Sequence, residues 1–191
     1  MPEFGRGLSS NEKTQLVRII NQVTDVFNSK AFEEALNSIS KAGGGFRFTR
    51  EDLKRISKGR KIPLKFFAFK SDELTGADVL KRIRRGTGSE TAEEGPTSIH
   101  FKISIYRFIS LCTSAVAHTK AGTIYINRSK FNSRRIAGNK EPFFGFCNTV
   151  AHELMHVMGY DHTPGGKWEA DSVPYVVGDI VEQLLYDRSP Y

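Results

Sequence analysis

His152-Glu153-Leu154-Met155-His156-Val157-Met158-Gly159-Tyr160-Asp161-His162 is the stretch that decides how this chain is read. It has the form HExxHxxGxxH and holds three of the chain's five histidines. A chance match to all five fixed positions has odds on the order of 10⁻⁵ in a chain of ordinary composition. His152 and His156 are four apart, so on a helix they share a face and can grip one ion. Glu153 falls on the next face, within reach of a water at that ion without being a ligand. A continuing helix could not bring a third imidazole to the same point. Gly159 answers this, because glycine takes the left-handed conformation that ends a helix and lets His162 return from below.

Three neutral imidazoles leave one corner of a tetrahedron open, which is the pattern of a catalytic zinc site rather than a structural one. A water in that corner loses its proton near neutral pH, and Glu153 is placed to take it. The plain alternative is a helix whose histidines only pack or face solvent. A third reading is a site that binds zinc without catalysis, and the carboxylate at Glu153 argues against it.

These residues resemble the zinc signature of the metzincin clan of endopeptidases. The resemblance implies an α+β fold with a twisted mixed sheet, N-terminal helices and a zinc-binding active-site helix. It further implies a horizontal cleft and a small C-terminal lobe with a closing helix. One catalytic Zn²⁺ would be held by His152, His156 and His162, with Glu153 as general base. The clan also carries a methionine turn beneath the zinc, and here the chain departs. Its only methionines are Met1, Met155 and Met158. Ser172-Val173-Pro174-Tyr175 stands where that turn is expected. Tyr175 is therefore a candidate catalytic residue: its ring could floor the imidazoles and its hydroxyl could ligate zinc or donate to an oxyanion. Packing alone at the start of the last helix is the competing role.

The chain has 191 residues, 39% of them hydrophobic and 14 of them phenylalanine. That suits one catalytic domain over 1–191 with a real core. Its upper lobe is expected over about 9–160 and its lower lobe over about 161–191, as the resemblance implies. Residues 1–8 read as an unordered or cloning-derived start without the apolar core of a signal peptide. A secreted or effector-like location is compatible with this and not established by it. No run approaches the roughly 18 apolar residues of a membrane span. Cys112 and Cys147 allow one pairing, and free thiols serve equally well.

The net charge of +7 gathers in Lys54-Arg55-Lys58-Arg60-Lys61, Lys81-Arg82-Arg84-Arg85 and Arg128-Lys130-Arg134-Arg135. Solvated faces explain such clusters, and so does attraction to an anionic partner. No nucleic-acid motif is present, so nucleic acid is not expected as a partner. The expected partner is a protein or peptide substrate, to which an anionic character would suit the charge, acting on a monomer. Rival readings are a peptidoglycan peptidase, a toxin-like effector protease of narrow substrate, a binding module on a protease scaffold, and a basic nucleic-acid binder with an incidental zinc site.

Periodicity places the remaining elements. Ser9 and Glu12 have capping-box spacing before the stripe Leu16, Ile19, Ile20, Val23, Phe27. A second helix carries Phe32, Ala35, Leu36 and Ile39 and stops at Gly43-Gly44-Gly45. Thr49 is expected to cap a short helix, Ile62–Phe69 to form a strand, Ala77–Arg85 a helix, and 86–98 a loop. Ile99, Phe101, Ile103 and Ile105 alternate with polar residues as a half-buried strand. Segments 114–119 and 123–127 read as a hairpin whose edge could accept an extended substrate. Residues 128–142 read as a basic connection, and the zinc helix is expected from about Phe146 to Met158. Met155 and Met158 are expected to pack, as are the lone histidines His100 and His118 unless they face solvent. Pro164-Gly165-Gly166 reads as a turn, and Ile180, Val181, Leu184 and Leu185 mark a closing helix.

Overall fold

The computed structural model describes residues 3–5, 7–41, 46–49, 73–74, 76–86, 102–106, 117–120, 122–131, 133–160 and 172–189. Six helices and six strands are found among them: β1 (Glu3–Phe4), α1 (Ser10–Phe27), α2 (Lys30–Lys41), β2 (Phe46–Thr49), β3 (Glu73–Leu74), α3 (Gly76–Arg85), β4 (Lys102–Tyr106), β5 (Ala117–Lys120), β6 (Thr123–Asn127), α4 (Ser133–Gly138), α5 (Lys140–Val157) and α6 (Val173–Arg188). The fold is mixed α+β, mostly helical, with a small mixed sheet.

That sheet has the order β1-β4-β6-β5. β4 runs parallel to both β1 and β6, and β5 closes one edge antiparallel to β6. The hairpin register pairs Ala117 with Ile126 and Thr119 with Ile124. Strand side chains alternate between faces, and here Ala117 is buried while His118 is exposed. Ile103, Ile124 and Ile126 are fully buried. β2 and β3 form a separate antiparallel pair.

Among the helices it is α5 that packs on β5 and β6, and the others build out from it with apolar stripes set at helical spacing. α1 begins with the expected capping box: the Ser9 N–H donates to Glu12 Oε2 at 2.8 Å, and the Glu12 N–H donates to Ser9 Oγ at 3.3 Å. Its stripe Leu16, Ile19, Ile20, Val23, Val26 and Phe27 is buried. α2 adds Phe32 and Leu36, and α3 adds Val79, Leu80 and Ile83. Arg84 of α3 pairs with Glu33 of α2 at 2.5 Å, so part of the basic cluster on α3 ties two helices together. Arg128 bonds the Gly7 carbonyl and Glu12, fastening the start of α1 to the end of β6.

Several elements differ from the sequence expectation. The opening residues contribute β1, whose Glu3 and Phe4 pair with Lys102 and Ile103. Thr49 is the last residue of strand β2, and the short helix expected after it lies outside the described residues. The basic connection contains α4, and α5 starts at Lys140, six residues before Phe146. Pro142 permits this, because a first-turn residue needs no hydrogen-bond donor. The expected strand 62–69, the 87–98 loop, His100, Cys112 and the 164–166 turn also lie outside the described residues. No described helix is long and apolar enough to cross a membrane.

Candidate functional site

α5 carries the first half of the signature, and its own packing fixes its rotation. Phe143, Phe144, Phe146, Cys147, Val150, Ala151, Leu154 and Met155 are buried. α5 lies along α6 and also touches α1, α4, β5 and β6. With those faces committed, His152 and His156 are left half-buried on the remaining side. Their rings stand 5.0 Å apart, centroid to centroid, at 74°.

The helix ends where the sequence places the glycine. Gly159 has φ +96°, in the left-handed region. The Tyr160 N–H donates to the Met155 carbonyl at 3.0 Å and the Gly159 N–H to the His156 carbonyl at 3.1 Å. This pair of bonds is the Schellman closure, which uses up carbonyls that a helix end would otherwise leave open. The same turn brings the Tyr160 carbonyl back to His156 Nδ1 at 2.8 Å. A carbonyl can only accept, so Nδ1 carries a proton, and in the neutral ring the lone pair lies on Nε2. Tyr160 itself is held firmly: its ring is buried, next to the charges of Asp78 and Arg82 on α3. Burial raises its hydroxyl far above the ordinary value, and the oxygen has no hydrogen-bond partner among the described residues.

Glu153 does not face solvent beside the imidazoles as a plain helical wheel suggests. It is 5% exposed and turns towards the sheet edge. The Thr119 hydroxyl donates to Glu153 Oε2 at 2.7 Å and lies 3.1 Å from the Glu153 carbonyl oxygen. Burial pushes the carboxyl up to about 7, with the Thr119 bond acting in the opposite direction. Thr119 was missed in the sequence. Strand alternation could have placed it on the face of Ala117, opposite His118, but nothing local says which helix residue waits there.

Tyr175 sits in the first turn of α6, and its ring meets the His152 ring edge-on at 4.6 Å and 74°. The segment Ser172–Tyr175 is thus the start of a helix and not a turn preceding one. Ser172 is the N-cap residue and Pro174 occupies a first-turn position where its fixed φ suits a helix. Burial first, and then the nearby Glu153 and Asp179 carboxylates, raise the Tyr175 hydroxyl above its ordinary value. α5 and α6 approach closely along this line: a Cβ on Gly178 would stand 2.4 Å from Asn148 Oδ1. Asn148 Nδ2 donates to Asp179 at 3.0 Å and to Glu182 at 2.8 Å.

The structure therefore brings together His152, His156, Glu153 and Tyr175. Among the described residues no group of three His, Cys, Asp or Glu side chains is gathered for a metal, and His162, the expected third ligand, lies outside them. Met155 and Met158 are buried as packing residues. His118 is exposed and stacks on Tyr125, with ring centroids 5.1 Å apart. Cys147 is a buried free thiol. No family model matches the chain, and no curated protein or solved structure matches it.

Proposed function

We propose that the chain is a zinc-dependent endopeptidase of metzincin-like fold, with His152, His156 and His162 as ligands and Glu153 as general base. The observation that carries this reading is the hydrogen bond of His156 to the Tyr160 carbonyl. Its Nδ1 is committed to the Tyr160 carbonyl at 2.8 Å, so Nε2 is the nitrogen suited to a metal, and a second imidazole stands one turn away. Neutral imidazoles with a buried carboxylate beside them suit a borderline ion such as zinc. When bound, zinc would polarise the scissile carbonyl and acidify a water.

The chain's own groups account for the proton. Glu153 takes one proton from the attacking water as the water oxygen bonds to the carbonyl carbon. It returns that proton to the amide nitrogen as the C–N bond breaks. A single carboxyl group can do both, accepting the proton as the carboxylate and returning it as the acid. Tyr175, whose ring lies edge-on to His152, would offer its hydroxyl to the oxygen that gains charge. β5 is the antiparallel edge of the sheet and leads to Glu153 through Thr119, so an extended peptide paired there would pass the carboxyl.

The test uses metal analysis and hydrolysis of labelled unfolded casein. The parent should hold one zinc per chain and His156→Ala should lose most of it. Glu153→Gln should keep the metal and lose about 10²–10⁴-fold in turnover. Full zinc retention in His156→Ala, or normal turnover in Glu153→Gln, removes the reading.

A further inference from the structure

Thr119 lies on a different element from His152 and His156, yet its hydroxyl reaches the carboxylate of the candidate base at 2.7 Å. Three observations bear on it. Its backbone is pinned opposite Ile124 in the β5–β6 register. Its branched side chain has few rotamers, so the hydroxyl's position follows from the strand's position. Its Oγ1 lies 2.7 Å from Glu153 Oε2 and 3.1 Å from the Glu153 carbonyl oxygen, both ends of one residue. A glutamate has three side-chain torsions, and ordering it costs rotamer freedom. Left unheld, a carboxylate adjacent to two imidazoles can swing onto a shared cation and become a ligand, which would end its use as a base.

We propose that Thr119 is a positioning residue that holds the Glu153 carboxylate to the sheet edge, so that it serves as proton acceptor and not as a metal ligand. This rests on the peptidase reading for its role, but not for its geometry. A hydroxyl on a sheet edge is well suited to the task. It donates one strong hydrogen bond to a buried carboxylate, and it leaves the second carboxylate oxygen for the water. The same bond ties the base to the strand on which an extended peptide would add, so seating of the peptide and placement of the base share one support.

Thr119→Val keeps the shape and removes the donor, and Thr119→Ser keeps the donor and removes a methyl. A double-mutant cycle with Glu153→Ala, read by thermal unfolding of the metal-free protein, reports the bond with or without activity. Thr119→Val should lower Tm in the parent by roughly 5 °C more than in the Glu153→Ala background. On the zinc-loaded protein with labelled casein, Thr119→Val should reduce kcat about 10- to 100-fold with little change in KM or zinc content. Thr119→Ser should recover most of that loss. Additive Tm shifts overturn the proposal, as does full turnover in Thr119→Val. If the zinc-loaded parent does not cleave casein, the peptidase reading takes that failure, and the thermal cycle still decides whether Thr119 holds Glu153.

Discussion

Gly178→Ala puts a number on how closely α5 and α6 approach beside the site. The added Cβ would stand 2.4 Å from Asn148 Oδ1, 3.1 Å from its Cγ and 3.2 Å from its backbone oxygen. The Asn148 side chain must turn away, and it gives up its bonds to Asp179 and Glu182 in doing so. Two such bonds, discounted for partial exposure, contribute about 2–3 kcal/mol. Alanine in place of a helical glycine returns about 1 kcal/mol. The net cost is about 1–2 kcal/mol, or a Tm lower by roughly 2–8 °C in a chain of this length. Packing through Asn148 makes a second, sharper demand. In an Asn148→Ala background the 2.4 Å contact no longer exists, so the same glycine change should be neutral or stabilising by up to about 1 kcal/mol. Thermal and urea unfolding of the four proteins would measure both. If Gly178→Ala is as stable as the parent, or if its cost is the same in both backgrounds, the helices are not packed through Asn148.

Gly159→Ala, at φ +96°, should lower stability by about 1–2 kcal/mol through left-handed strain, and zinc retention should fall with it; equilibrium unfolding and metal analysis read the two effects. Tyr160→Phe removes a buried hydroxyl that lacks a partner among the described residues, so it should leave stability unchanged or raise it by about 1 kcal/mol, whereas Tyr160→Ala should cost about 3–5 kcal/mol. Burial holds the Cys147 thiol up to about 12 against an ordinary 9.0. The folded state thus keeps its proton more tightly, and this contribution to stability is whole below pH 9.0 and drains away as the pH climbs towards about 12. Site-resolved labelling at pH 8 should find Cys147 at least about 100-fold slower in the native protein than in urea.

Local chemistry made much of this molecule legible in advance, and contacts across the fold did not. The capping box of Ser9 and Glu12, the α1 stripe and the β5–β6 hairpin are written in neighbouring residues, and they formed where expected. The first turns of α5 and α6 were misjudged for one shared reason. The basic connection is drawn as far as residue 142 and Pro174 is set in a turn, although proline costs a helix nothing before its ladder of hydrogen bonds begins. β1 is two residues long, too short for any pattern to show. At the site, the spacing of His152 and His156 predicts a shared helix face, and Gly159 predicts a stop. The burial of Glu153 could not be read, because it depends on Thr119 arriving from a strand 34 residues earlier.

The closure at the end of α5 has a consequence for the order in which this site is assembled. Its bonds are made by backbone groups of Met155, His156, Gly159 and Tyr160, and its outer residue is anchored in the hydrophobic interior. An imidazole oriented by such a turn is set at the moment the chain folds, before any ion arrives. A visiting cation would meet a seat already half made, and its binding would not have to recruit the polypeptide around it. Unlike a zinc finger, where metal and fold stand or fall together, a metal site so built would let occupancy vary with the surroundings while the architecture persists.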